Sequence, residues 1–530
     1  LVVQIRRLLR TPETSFIDGT VRENVLPRLS VCDMLVARGR LNADARGADV
    51  EMNRGGVLLL VSYIAPLVSA YGIFMVLSRV LSTDEFADFG VVNAGVTMMN
   101  AVLAGGTIQA VSRRIAASSG THIFRHRRKA VGRQALISLA IVVVLGLLSP
   151  VFAHLLGDPS LTRYLIVASA IPAAYALLAV QQGALNGAGQ LGGQGALNLI
   201  ISTLRVLLVV AAVLLGGGVT GALFAILAAS LLTFVASWLI PLEGGTPPSA
   251  SAAPRGGTGR VRVQNDMVVF VIAQVLLQVL LVSDLFLLKA HDSVSTSALI
   301  ALYVAGQTVA RIPYGLLMGV PQLAFSRSAR ERASSSSLAQ SAGLTFALVV
   351  GLLLVMLAVA IPLREPLLLV IYPESFRDAA AFLPILLAGA GALAVGDVCQ
   401  SMVSGARGPR SSVVVFGVAV VFEIVAAFVL IPLHGVMGAA WAALIGASTL
   451  ALAATVVFFV RIRPTVPWAI VGTGGVLGAG SAMASSLFAT FDPQPFAAFV
   501  GSGLLALVVG GLFALSVRAD LVGTRPHKNG

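Results

Sequence analysis

Two arginines and three carboxylic acids stand inside stretches otherwise apolar enough to cross a bilayer. Arg205 and Arg311 are the cations; Asp284, Asp397 and Glu423 are the acids. An ionisable group at that depth costs several kcal/mol even on lenient scales, so each should face protein or a wet cavity. Neutral polar residues share helix faces with them. Gln194, Asn198, Ser202 and Arg205 follow one another at spacings of 4, 4 and 3, and Tyr303, Gln307, Arg311 and Tyr314 at 4, 4 and 3. Asn93, Thr97 and Asn100 form a third stripe, Tyr175, Gln182 and Asn186 a fourth, and Gln274 with Gln278 a fifth. Such stripes either hydrogen-bond neighbouring helices or line an aqueous cavity, and several together, two with a central Arg, favour the cavity. For Asp284, Asp397 and Glu423 two readings stand side by side. One is a sodium or proton site, in which a carboxylate is neutralised in turn by the coupling ion and by a neighbour. The other is a set of fixed ion pairs, such as Asp284 with Arg311 or Glu423 with Arg205.

The elements that carry these residues are membrane helices. Of 530 residues 57% are hydrophobic and 11% charged, and mean hydropathy is +0.92, more apolar surface than a water-soluble core can hide. Spans are expected near 57–79, 89–112, 134–156, 163–183, 195–215, 219–240, 267–288, 297–323, 340–362, 379–403, 411–432, 437–460, 467–489 and 495–517. The fold class is therefore all-α integral membrane, with about 14 helices. Two cysteines, Cys32 and Cys399, suggest neither disulfides nor a thiolate metal site, and no nucleotide loop or hydrolase elbow occurs.

The sequence also repeats. Gln182 to Ala188 returns as Gln400 to Ala406 at an offset of 218, and Val219 to Ala222 as Val436 to Ala439 at 217. Gly106, Gln109 and Arg113 correspond to Gly319, Gln322 and Arg327, and Pro172 to Pro384. Arg205 and Glu423, 218 apart, hold equivalent positions. A duplicated six-span half accounts for the common order, and an even span number makes the repeats parallel. The resulting division is a polar leader over 1–54, either a cytosolic tail or a misplaced gene start, then a first lobe over 55–240. A Gly-, Pro- and Ser-rich linker over 241–266 leads to a second lobe over 267–460, two further spans over 461–517 and a tail over 518–530.

The net charge of +13 is topological and implies no nucleic-acid partner. Connections after even-numbered spans carry 20 Lys and Arg against 5 after odd-numbered ones. That places the even set, with both termini, in the cytoplasm of a cell (plasma or inner) membrane. The dense cluster from His122 to Arg133 fits topogenic charge against anionic headgroups better than a dedicated ligand site.

Three segments carry a family likeness: Leu77 to Gly90, Gly106 to Ala116, and the loop Ile371 to Ala380. With them the chain resembles the oligosaccharide flippase branch of the multidrug/oligosaccharidyl-lipid/polysaccharide exporter superfamily, over residues 55 to 517. The resemblance implies a V-shaped pair of lobes in alternating access, with no enzymatic activity and no cofactor beyond a coupling sodium ion or proton. The implied cargo is a polyprenyl-diphosphate-linked oligosaccharide, handed to a glycan polymerase or ligase, with membrane lipids around a monomer. Arg311 would bind diphosphate, assisted by Arg205 or Arg79, because guanidinium grips phosphate bidentately and keeps its charge. Gln307, Tyr303, Tyr314, Asn93, Asn100, Gln274, Gln278 and Asn198 would meet sugar hydroxyls. The competing readings are a cation- or proton-coupled multidrug antiporter of the same superfamily and an integral-membrane glycosyltransferase or polymerase.

Overall fold

Hydrocarbon offers the backbone no hydrogen bonds, so spans close their own as helices. In the computed structural model all regular structure among the described residues is helical. Those residues are 65–116, 122–242, 257–291, 296–331 and 335–489, with residue 501. The expected leader, the start of the first span, most of the linker, the span over 495–517 and the tail lie outside the described residues.

The first lobe comprises α1 (Ala65–Val80), α2 (Thr83–Ala116), α3 (His122–Leu155), α4 (Thr162–Gly187), α5 (Leu191–Leu214) and α6 (Gly218–Ala236). The second begins with α7 (Gly257–Leu280) and α8 (Ser283–Ala290), then α9 (Ser297–Ala310), α10 (Ile312–Leu317) and α11 (Gly319–Arg330). It continues through α12 (Ser335–Ala360), α13 (Arg364–Ile371), α14 (Leu383–Arg407) and α15 (Arg410–Ile462), and α16 (Trp468–Ala489) follows. Nine helices among the described residues are long and apolar enough to cross a bilayer, ten when α7 and α8, bent by 50°, count as one.

Three departures from uniform spans have physical causes. The span expected over 297–323 is three pieces, and at the first break Pro313, in the first turn of α10, cannot supply a backbone N–H. The span over 267–288 breaks at Leu281 and Val282, where no Pro or Gly announces it. The spans over 411–432 and 437–460 run together as α15, whose 53 residues would reach about 80 Å if straight. The chain folds instead at Gly435, with φ 55 and ψ −129, a conformation open to glycine at little cost. In the first lobe Gly218 turns the chain into α6 at φ 54, the same position of the repeat.

The halves also reuse their packing. A Cβ at Gly187 would lie 2.5 Å from the Ser112 carbonyl of α2, and one at Gly405 would lie 2.4 Å from the Phe325 carbonyl of α11. Gln182 Nε2 donates to Asn198 Oδ1 at 2.9 Å, tying α4 to α5, and Gln400 Nε2 donates to Ser412 Oγ at 2.7 Å, tying α14 to α15. Gly187→Ala and Gly405→Ala should each force apart an equivalent helix pair, at about 1–3 kcal/mol. A melting series in detergent should show similar losses for both, and unchanged midpoints would mean the helices are not in contact there.

Across the lobes, α2 packs on α7, α8 and α9. It fits α9 most closely at Gly90, where a Cβ would come 2.6 Å from Val304. On α3, by contrast, Leu136, Leu139, Val143 and Leu147 are exposed, an apolar stripe suited to lipid. This is a multi-pass membrane protein.

Candidate functional site

The break between α7 and α8 gathers most of the predicted chemistry. Asp284, in the first turn of α8, accepts at Oδ1 from its neighbour Leu285 N (2.8 Å) and at Oδ2 from Tyr303 OH (2.6 Å) and Gln307 Nε2 (2.8 Å). The two donors are four residues apart on α9, as the stripe requires. Ser283 Oγ donates to Glu423 Oε1 on α15 at 2.7 Å, while Glu423 Oε2 is buried without a hydrogen-bond partner among the described residues. Gly446 makes room for it, since a Cβ there would lie 2.5 Å from that oxygen. Arg311 donates to the Leu281 carbonyl, which the break frees from the helix ladder. Tyr71 of α1 reaches the same place, its hydroxyl donating to the Thr308 carbonyl at 3.1 Å.

A second constellation lies in the first lobe. Arg205 Nη2 donates to Asn93 Oδ1 at 3.3 Å, and Arg205 Nε is buried without a hydrogen-bond partner among the described residues. Ser69 Oγ of α1 donates to the Ser202 carbonyl of α5 at 2.9 Å, so α1 touches both the Arg205 and the Arg311 neighbourhoods. Neither arginine has a carboxylate within 4.0 Å among the described residues, where ion pairs are formed by Lys289, Arg327 and Arg377. The fixed pairs considered from sequence are therefore not formed. Arg205 and Glu423 occupy equivalent places in different lobes, and repeat equivalence does not bring residues face to face.

The other predicted residues disperse. Asn198 is taken up by Gln182, as helix-to-helix bonding would have it. Tyr314 OH donates to Asp397 Oδ2 at 3.2 Å between α10 and α14. Asn100 and Gln274 are half-buried and Gln278 is buried. Arg79 is exposed in the last turn of α1, and its Nη1 donates to the carbonyls of Met75 (2.7 Å) and Ile371 (2.6 Å). It thus ties α1 to α13 at the end of the bundle opposite the basic cluster.

That end carries a clamp the sequence reading missed. Lys289, its side chain 5% exposed at the end of α8, reaches Asp158 Oδ2 at 2.8 Å and Asp88 Oδ1 at 3.4 Å, both on the first lobe. Nothing in the spacing relates Lys289 to acids 131 and 201 residues away. Phe86 of α2 meets Phe376 at 5.3 Å and Tyr372 at 6.0 Å, edge to face. Two of the segments carrying the family likeness thus meet each other. Partial burial raises the affinity of Asp158 for its proton, but hydrogen bonds from Lys289 and Ser160 outweigh it and hold the carboxyl below its usual 3.8. A depressed acid supports the folded contact in full above about pH 4 and loses that support as pH falls through the lower value. In an Asp88→Asn background, which leaves Asp158 as the one carboxylate on Lys289, spin-label distances across this end should be constant from pH 8 to 5 and lengthen only in stronger acid.

Similarity to known proteins follows the same outline. The profile of the family described as "Polysaccharide biosynthesis protein" matches residues 53–318. The chain belongs to this family. No curated protein matches it. Among solved structures, it is similar to the lipid II flippase MurJ in an inward closed conformation, with TM-score 0.65 and 15% identity over 88% of this chain and 99% of that one. It is also similar to an inward-facing multidrug resistance MATE family transporter of the MOP superfamily, with TM-score 0.59 and 17% identity over 77% and 98%. A MOP superfamily transporter from Pyrococcus furiosus, whose binding pocket is described as of reverse polarity, gives 0.59 and 17% over 78% and 95%. The family protein thus has the fold of the MOP superfamily transporters.

Proposed function

We propose that this protein moves a polyprenyl-diphosphate-linked oligosaccharide from the inner to the outer leaflet of the cell membrane, by alternating access. The observation that carries the reading is the pair of span-embedded guanidinium groups, Arg205 and Arg311, with no carboxylate within 4.0 Å among the described residues. A cation held in low dielectric and joined to no carboxylate by an ion pair suits an anionic passenger. Asn93, Tyr303 and Gln307 beside them suit sugar hydroxyls. Family membership and the flippase-like fold support the same conclusion. The excess of Lys and Arg places the basic end in the cytoplasm, so the Lys289 clamp closes the outer side and a polymerase or ligase would receive the cargo there.

The coupling ion, a proton or sodium, is proposed to enter at Asp284 and Glu423, where the broken helix brings two acids together through adjacent residues of α8. In proteoliposomes with a fluorescent lipid-linked oligosaccharide, transport should respond to one imposed gradient, and Glu423→Gln should abolish that response. If Glu423→Gln keeps the full gradient dependence, coupling lies elsewhere. The same acids would suit an organic cation, so the deciding comparison is between two assays. Depleting the protein in cells should accumulate lipid-linked oligosaccharide and leave efflux of a lipophilic cation unchanged, and the reverse result would establish the antiporter.

A further inference from the structure

From residue 89 to 157, and again from 159 to 242, the chain contains no Asp or Glu. Asp158 lies in the clamp at the opposite end, so the basic end of the first lobe holds Arg113, Arg114, Arg125, Arg127, Arg128, Lys129 and Arg133 with no carboxylate of its own. The second lobe differs at the equivalent place. There Arg327 Nε pairs with Glu331 Oε1 at 2.9 Å, and Ser341 donates to the other oxygen of Glu331. The offset that relates Arg113 to Arg327 carries Glu331 onto Ala117. The second lobe carries an acid among its cations at this end, and residues 89–157 and 159–242 of the first carry none, Asp158 between them lying at the opposite end.

Three of these cations line a cavity. Arg114 from the end of α2 and His126, Lys129 and Arg133 from one face of α3 line a space of about 280 Å³ over Val111 and Ile115. Beneath it Arg127 is buried and held by neutral groups only. Its Nε donates to Gln181 Oε1 at 2.6 Å and its Nη2 to the Ser237 carbonyl at 3.0 Å, while the guanidinium lies 4.2 Å over the Trp238 ring. This arrangement locks α3 to α4 and to the turn after α6, and fixes the α3 wall of the cavity. One turn beyond Arg133, Leu136 and Leu139 are exposed to the lipid side.

We propose that this cavity binds the phosphate-bearing headgroup of a membrane lipid, with the lipid's hydrocarbon lying along the exposed face of α3. Three basic side chains and a histidine around one cavity select a phosphate, and the apolar floor and stripe select a lipid over a free ion. For a bilayer lipid the inference needs only the membrane fold, and for a polyprenyl diphosphate it rests on the cargo proposed above. The phosphate could belong to a bilayer phospholipid or to the diphosphate of a polyprenyl carrier, and the test separates them. Purified full-length protein is titrated by native mass spectrometry with phosphatidylglycerol, with phosphatidylcholine of the same chains, and with a short polyprenyl diphosphate. The lining pair Lys129→Gln/Arg133→Gln is compared with Arg125→Gln/Arg128→Gln, a neighbouring exposed pair outside the cavity. The lining pair should weaken the anionic lipid by about tenfold or more, and the neighbouring pair should change it little. That result with phosphatidylglycerol assigns the site to a bilayer lipid, and with the polyprenyl diphosphate alone to the carrier's head. Equal binding of phosphatidylcholine, or equal losses from both pairs, would overturn the site and leave a diffuse charged surface.

Discussion

Arg311→Ala should reduce translocation of a lipid-linked oligosaccharide in proteoliposomes by about 10- to 100-fold, the equivalent of one lost charge-assisted contact. Arg311 has two jobs that a simple truncation confounds. It caps the Leu281 carbonyl freed at the break in the seventh span, and it supplies a positive charge beside Asp284, Tyr303 and Gln307. Arg311→Gln separates them, because an amide can still donate to the carbonyl but carries no charge. The expected result is a melting temperature close to that of the parent with transport still impaired. Arg311→Lys, which keeps charge but loses the planar fork, should recover part of the transport. If glutamine restored both stability and transport, Arg311 would be a structural staple and the anionic-cargo reading would lose its main support. Arg205→Ala should show a smaller loss, since its Nη2 meets only Asn93 at 3.3 Å.

What the sequence made legible follows from periodicity and from the repeat. The stripe of Tyr303, Gln307 and Arg311 lies along one helix face as its spacing requires, and the offset of 217 to 218 reappears as matched glycine contacts at Gly187 and Gly405 and matched positive φ at Gly218 and Gly435. These features are local or nearly so, and a one-dimensional pattern encodes them. The break at Leu281 is different. Its cause is tertiary, a guanidinium on the freed carbonyl and two acids gathered around the next turn, and Leu281-Val282 reads as ordinary apolar helix. The partner of Glu423 was illegible for a related reason, because repeat symmetry names its counterpart, Arg205, and not the Ser283 it touches. Arg79, expected to assist Arg311 on a diphosphate, sits in the last turn of the first span at the end of the bundle, bonded to carbonyls.

Lys289→Met should open the clamped end of the transporter. The substitution keeps much of the side chain's length and packing and leaves Asp88 and Asp158 facing each other across the lobes without their cation. Removing one partner of a buried pair costs about 3–5 kcal/mol, and the partial exposure of Asp158, 26% for its side chain, reduces that to about 2–3 kcal/mol here. An equilibrium between closed and open ends would then move by roughly 30- to 160-fold. Val304, buried against Gly90 in the closed arrangement, reports the change. A Val304→Cys protein should be labelled slowly by a membrane-impermeant maleimide, and adding Lys289→Met should accelerate labelling by a similar factor. The exchange Asp88→Lys with Lys289→Asp restores opposite charges across the gap and should slow labelling again. If Lys289→Met leaves the labelling rate unchanged, the ion pairs do not hold this end shut, and the Phe86 to Phe376 contact and the Arg79 bond to Ile371 carry the closure instead. If labelling accelerates and the exchange fails to slow it, Lys289 acts through packing and not through charge. Only loss followed by rescue makes the Asp88, Lys289 and Asp158 set an electrostatic gate, one that each transport cycle must break to release cargo on that side.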